Sequence, residues 1–427
     1  MNPQIGAGEE AASMTCRHGN SPPAALQDDD MLQEILLRLP PQPSSLPRVS
    51  AVCKRWRRLV TDSRFLRCFY AHHRNPPLLG VFFYHGDKIN FTSVLPAPDR
   101  IPDWRLNLPI GYLSNRLLGC RHGLVLILHR FRAEVLVCDP IAGNQHRVPI
   151  PPEFKCGYVH GAVLCTARDQ GHVHGGCHST LFKVVLLLVS TKDDRALASV
   201  YSSETDTWAD LIEAEVHYRD CFGSYISTLV GNVVYWSFKY VKRGILGFNL
   251  EQHSLDVLEG PPRMEHCYSH QIVQTEEDAV GVAMMSHHYH NVEMRQRMIN
   301  CHGVTTWLLW KTIETDNIVG LPPRIEGGMV LLKFIVGYVE DTDEIFICAK
   351  DGLYMVQLNL LQSRKLCEDR NISSCHSFNS FYAPGRLASQ PPVDGLHPAA
   401  QLGNTKLRAC PSMQRRSFMA MKGPAKG

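Results

Sequence analysis

From Pro76 to about Pro384 the chain is a succession of short apolar or aromatic runs, each broken within a few residues by Gly, Pro, Asn or Asp. Runs of about four to seven residues bounded by turn formers have the length of β-strands, not of helices. Arg121-His122-Gly123-Leu124 reads as a turn feeding a buried strand that continues to Leu128. Glu134 to Pro140 is a second strand ending in a turn, and Arg147-Val148-Pro149 closes the unit. The theme returns at 183–190, at 198–208 with Trp208, at 229–236 and at 245–250. Further echoes fall at Trp307 and at 344–348 with 352–356. Units of roughly 40–50 residues, marked by a Trp near one strand, suit propeller blades. The span then holds about six or seven blades, within the usual range of about four to eight. A pair of large β-sandwiches is the alternative fold for the same strands.

The residues ahead of this region have a different texture. Residues 25–74 are rich in Leu and Arg and read as helix. Asp30 and Gln33 make a capping-box pattern, in which each side chain satisfies a free N–H at the helix start. Leu32, Ile35, Leu36 and Leu39 follow at i, i+3, i+4 and i+7, one apolar stripe. Pro40, Pro41 and Pro43 end it, because proline lacks the N–H and biases its predecessor out of the helical region. Ser44 or Ser45 caps a second helix, with Pro47 in its first turn and Leu46, Val49, Cys53, Trp56 and Val60 along its face. Asp62 or Ser63 starts a third, with Phe65, Leu66 and Phe69 inward. Three helices in under about fifty residues make a small core. Their apolar faces are broad, so part of that surface calls for a partner.

Two stretches of the helical part closely resemble the F-box family: Asp29-Asp30-Met31-Leu32-Gln33-Glu34-Ile35-Leu36-Leu37-Arg38-Leu39-Pro40 and Val52-Cys53-Lys54-Arg55-Trp56-Arg57-Arg58-Leu59. The resemblance implies docking on a Skp-type adaptor, which links to a cullin scaffold in an SCF-type E3 ubiquitin ligase. The matching contact positions are Leu26, Ile35, Leu36, Leu39, Pro40, Leu46, Val52, Cys53 and Trp56. One departure is the opening pair, Leu26-Gln27 where the family usually has Leu-Pro. The β region resembles the kelch-like F-box-associated domain common in plant F-box proteins. Gly123-Leu124, Asp139-Pro140, Tyr201 to Thr205, Val230 to Trp236 and Ser380 to Pro384 carry that likeness. The implied fold is α + β and multidomain: residues 1–24 disordered, 25–74 a three-helix F-box, 75–384 a propeller-like domain, and 385–427 a flexible basic tail. The implied function is a non-catalytic substrate receptor without cofactor, whose β domain holds a target protein for ubiquitination.

Other readings are weaker. Eight Lys or Arg residues lie between Arg48 and Arg74 against Asp62 alone. A solvated helix face explains them as well as a nucleic-acid patch does, and the whole chain carries only +3. No G-x-S-x-G, H-E-x-x-H, phosphate-loop or dinucleotide motif occurs. Cys165, His172, His174, Cys177 and His178 could supply soft metal ligands, and His287-His288-Tyr289-His290 is a second cluster. Neither has zinc-ribbon spacing, and exposed loop histidines are the plainer expectation. Fifteen scattered cysteines without a C-x-x-C pair read as reduced thiols. No apolar stretch is long enough for a bilayer, so cytoplasm or nucleus is expected.

Overall fold

The computed structural model describes residues 28–382 apart from 86–87, 107, 109–114, 156, 168–171, 177–180, 191–192, 217–225, 239–243, 268, 276–278, 324, 328 and 341. Leu26, Cys177, His178, the stretch 1–24 and the tail 385–427 therefore lie outside the described residues.

The helical part contains four helices rather than the expected three: α1 (Asp29–Leu37), α2 (Ser45–Val52), α3 (Lys54–Thr61) and α4 (Ser63–His73). The extra break falls at Cys53, which is fully extended (φ −160°, ψ 169°) and whose sulfur accepts from the Trp56 N–H at 3.5 Å. Cys53 thus ends α2 and caps α3, while the apolar spacing of three and four runs on across it. That unbroken rhythm is why the interruption is invisible in the sequence. The cap of α1 also differs from expectation. Asp28, not Asp30, accepts from the Asp30 and Met31 N–H groups, at 2.8 and 3.2 Å. Asp29 and Asp30 fall instead in the first turn, where negative charge suits the helix dipole. Asp62 caps α4 through the N–H groups of Arg64 and Phe65.

Six antiparallel blade sheets follow, with a two-stranded ribbon of Ile325–Glu326 and Met329–Val330 between the last two. Blade 1 pairs Leu78–His85 with Lys88–Ser93 and with Cys375–Asn379, a strand from the far end of the described chain. Blade 2 spans Asn115–Arg121 to Asn144–Pro149, and blade 3 spans Tyr158–Cys165 to Ile212–Glu215. Blade 4 covers Thr228–Val230 to Ser254–Leu258, blade 5 His270–Gln274 to Thr305–Glu314, and blade 6 Phe334–Tyr338 to Gln362–Cys367.

The arrangement of the core decides between propeller and sandwiches. Each neighbouring pair of blades shares its own apolar layer. Phe82, Phe378 and Val125 lie between blades 1 and 2, and Val137 and Leu186 between 2 and 3. Val185 and Trp236 fill the next layer, and Ile245 and Ile272 the one after. Ile313 and Ile347 join blades 5 and 6, and Val81 and Phe346 join blade 6 back to blade 1. Six layers around six blades make a closed ring, so the domain is a six-bladed propeller-like body and not a sandwich pair.

Inner and middle strands are sandwiched between two such layers and are buried on both faces. Phe182–Ser190, with nearly every residue buried, has for that reason a continuous apolar run instead of alternation. Outer strands such as Asn144–Pro149 are exposed on most positions and polar. Turn chemistry is equally local. His122 and Gly123 both have positive φ (56° and 76°) in the two-residue link after Arg121, the geometry that continues the twist of a hairpin. The Asp139 carboxylate accepts from the Ile141 and Ala142 N–H groups, and Asn249 does the same for Glu251 and Gln252 at the matching place two blades on. The blade-marking tryptophans bond across seams: Trp208 donates to the Pro149 carbonyl at 2.8 Å and Trp307 to the Glu259 carbonyl at 3.1 Å.

Two buried histidines give the fold an acid limit. His160 and His376 are 0% and 4% exposed, and burial pushes both down to about 3, with Arg116 adding to the effect at His160 and Arg121 at His376. Both stay neutral in the folded chain, while the unfolded chain takes up protons below about 6.5. Stability is therefore whole above that pH and falls as pH drops from about 6.5 towards 3. Each histidine should remove about 2 kcal/mol by pH 5. Urea unfolding at pH 7 and pH 5 checks this; equal midpoints would mean that neither imidazole is held neutral.

Candidate functional site

The helices pack around Leu32, Leu36, Leu46, Val49, Val60, Phe65, Leu66, Phe69 and Tyr70. Two residues from the β domain complete this core: Phe381, just beyond the closing strand, and Val173, from the loop between the first two strands of blade 3. The Phe381 and Tyr70 rings stack with centroids 4.5 Å apart. Gly176 passes so close to Tyr70 that a Cβ there would stand 2.6 Å from the ring. The Phe381 N–H and the Ser380 hydroxyl both donate to the Gly175 carbonyl at 2.9 Å. On the other side, the Ser44 N–H donates to the Asp99 carboxylate at 2.9 Å. The helical module is thus seated on the propeller, and the core too small for fifty residues is finished by its neighbour.

The eight described positions matched to the adaptor-contact motif separate by burial. Ile35 and Val52 are 42% and 61% exposed, and Met31, one turn before Ile35, is 51% exposed. Cys53 and Pro40 are also exposed, and Leu39 and Trp56 are half-buried against the helical core. Leu36 and Leu46, at 3% and 2%, face inward and shape the module from within. Arg55 bonds Asp29 at 2.8 Å, tying the start of α3 to the start of α1. Arg57 donates to the Ser50 carbonyl, and Lys54 and Arg58 stand in solvent.

Next to the junction, a cavity of about 490 Å³ opens at the propeller axis. Its wall includes the ends of inner strands from several blades, with Arg121, Gln274 and Glu340 among them, and Arg74 and Pro76 from the segment joining α4 to blade 1. Arg121 is bidentate to Glu340, with Nε to Oε2 at 2.8 Å and Nη2 on Oε1. Arg121 Nη2 also donates to the Ser227 carbonyl, and Glu340 accepts from the Leu229 N–H at 2.8 Å. One ion pair therefore ties blades 2, 4 and 6. Nothing in the sequence pairs Arg121 with Glu340; only ring closure brings them together.

On the same wall lies one of the histidine clusters. Cys165 Sγ is 3.5 Å from His172 Nε2, which is 3.2 Å from His174 Nδ1. His122 joins them, a residue the metal motif does not include. It accepts from the Cys165 N–H at 3.1 Å, and its ring stacks on His174 at 3.8 Å. Burial, then His174, Arg121 and His172, push His122 down to about 2, and burial and His172 lower His174 as well. These imidazoles are neutral at physiological pH. The second cluster serves a turn: the Ser286 hydroxyl accepts from the His290 N–H, while the His288 ring contacts those of His287 and His290.

Among the described residues no helix is long and apolar enough to cross a membrane. The F-box domain model matches residues 28–68. Two Arabidopsis thaliana proteins described as F-box proteins are similar to the chain. At3g23950 is 25% identical over 48% of this chain and 51% of its own length. At3g16210 is 25% identical over 55% of this chain and 60% of its own length. The chain therefore spans between half and two thirds of these relatives. Among solved structures, apo AztD from Citrobacter koseri is 10% identical over 70% of this chain and 97% of its own, with a TM-score of 0.34. The four helices with their capped, proline-stopped start and the domain match coincide: this chain carries an F-box domain at residues 28–68, joined to a six-bladed β-propeller-like domain, and is similar to these two F-box proteins of Arabidopsis thaliana.

Proposed function

We propose that the chain is the substrate-receptor subunit of an SCF-type E3 ubiquitin ligase. The F-box docks on a Skp-type adaptor and through it on a cullin, and the propeller holds the target protein. In this reading the chain contributes no transfer chemistry of its own, since ubiquitin transfer belongs to partner subunits, and it works in the cytoplasm or nucleus. The observation that carries the proposal is the open apolar margin of the F-box. Met31, Ile35 and Val52 are exposed in a module whose core is already completed by the propeller. Exposed apolar side chains on so small a domain support an interaction site. The propeller suits recognition because its cores lie between blades, which leaves the loops at the two ends free to vary.

Co-expression of the full chain with a Skp-type adaptor should yield a complex that survives gel filtration. Ile35→Ala with Val52→Ala should weaken it by about thirtyfold, the loss expected when about 2 kcal/mol of anchor contact is removed. Both residues are exposed, so the melt should stay within about 0.5 kcal/mol of the parent. Leu36→Ala is the poorer probe, because Leu36 is buried and its loss unsettles the helices themselves. Undiminished adaptor binding by the double variant would overturn this interface, and absence of any complex with the parent chain would overturn the function.

A further inference from the structure

We propose that Cys165, His172 and His174 form a zinc-class metal site that fastens the blade 3 loop beneath the F-box. The three ligand atoms lie within 4.8 Å of one another. Two of the separations are already those of a tetrahedral zinc site. With a Zn–S bond of about 2.3 Å and Zn–N bonds of about 2.05 Å, tetrahedral edges are about 3.5 Å between sulfur and nitrogen and about 3.3 Å between nitrogens. The structure has 3.5 Å from Cys165 Sγ to His172 Nε2 and 3.2 Å from His172 Nε2 to His174 Nδ1. One cation can therefore sit between these atoms with little rearrangement. A thiolate with two imidazoles is a donor set for zinc or its borderline neighbours rather than for calcium or magnesium.

The surroundings favour the same assignment. Cys165 ends the first strand of blade 3, so the sulfur is carried by a rigid element. His122 stacks on His174 and accepts the Cys165 N–H, which orients one ligand ring and the backbone of another. His172 and His174 also line the axial cavity, which gives the fourth coordination position to water. On binding, the Cys165 thiol releases its proton to solvent and the cation takes the sulfur lone pair, so occupancy rises with pH.

The position gives the site a purpose. Val173, between the two histidines, packs into the helical core, and the next residues, Gly175 and Gly176, contact Ser380, Phe381 and Tyr70. A metal bound to the flanking side chains clamps this segment to blade 3 and so steadies the seat of the F-box. This holds whether or not the chain serves in a ligase.

The test uses the full chain with Zn2+ alone, and Co2+ as a spectroscopic stand-in. The parent should retain about one zinc per chain after desalting, and the Co2+ form should show thiolate charge-transfer absorption in the near ultraviolet. Zinc should also slow proteolysis within residues 172–176. Cys165→Ser should abolish the charge-transfer band, and His174→Gln, at an exposed position, should weaken zinc more than about tenfold. If Cys165→Ser does not fold, His172→Gln with His174→Gln decides. Substoichiometric zinc in the parent, or variants that bind zinc as tightly as the parent, would overturn the site. Zinc binding without the change in proteolysis would overturn its fastening role.

Discussion

A chain ending after residue 368 should lose the cooperative thermal melt that a chain ending after residue 384 retains. The shorter chain lacks Cys375–Asn379, which pairs with Leu78–His85 and completes blade 1. Its residues serve both neighbouring seams. Phe378, 1% exposed, belongs to the layer between blades 1 and 2, and Cys375, fully buried, to the layer between blades 6 and 1. Removing the strand bares two apolar layers and the hydrogen-bonding edge of Leu78–His85. Loss of one buried Phe side chain alone costs about 3–5 kcal/mol, against a total stability of about 5–15 kcal/mol for a typical domain. Loss of the strand together with Ile372 and Phe381 exceeds what remains. Circular dichroism on heating reads the result. A sharp transition in the shorter chain would show that the ring does not depend on closure by its last strand.

Glu340→Ala should produce the largest loss from any single exchange at the axis. It leaves the Arg121 guanidinium, whose side chain is 4% exposed, without its carboxylate and with only Ser227 as a named acceptor. Breaking one half of a buried pair costs about 3–5 kcal/mol, because the remaining charge is neither hydrated nor neutralised. Glu340 itself is 24% exposed, which lets water reach part of the gap and sets the expectation at about 3 kcal/mol. Glu340→Gln keeps an acceptor for the Leu229 N–H and for Arg121 while losing the charge, and should fall between. Urea midpoints of the three chains decide. A change under about 1 kcal/mol for Glu340→Ala would mean that water already serves Arg121 and that the six layers alone hold the ring.

What could be read from the sequence follows from how local each feature is. His122-Gly123 and Asp139-Pro140 were legible as turns because a positive-φ pair and a carboxylate capping its own backbone are settled within four residues. Phe182–Ser190 was legible as a strand because burial on both faces leaves an uninterrupted apolar run. Cys53 was missed as a helix break because the apolar positions Val49, Cys53, Trp56 and Val60 keep one rhythm through an extended residue. Trp208 and Trp307 pointed to blades without revealing that their N–H groups cross to the next blade. The inward turn of Leu36, beside the exposed Ile35, comes from how α1 rolls on its neighbours, and a stripe of i, i+3, i+4 and i+7 positions does not say which edge stays open. Cys165, His172 and His174 stood close enough in sequence to be noticed, whereas His122 reaches them across a blade seam. Arg121 and Glu340 left no trace at all, since an ion pair across the axis has no spacing rule.

The stacking of Tyr70 on Phe381 has a consequence for the order of events during synthesis. The F-box helices leave the ribosome ahead of the propeller, but one wall of their core is among the last described residues to be made. At about 5–20 residues per second, the wait for Phe381 is on the order of tens of seconds. Until then Tyr70 and the inner face of α4 have no ring to rest on, and Val173 has no closed body behind it. A nascent chain, or one cut short by a premature stop, therefore offers an incompletely supported F-box. Firm seating of that module becomes a signal that the propeller has been made through its closing strand.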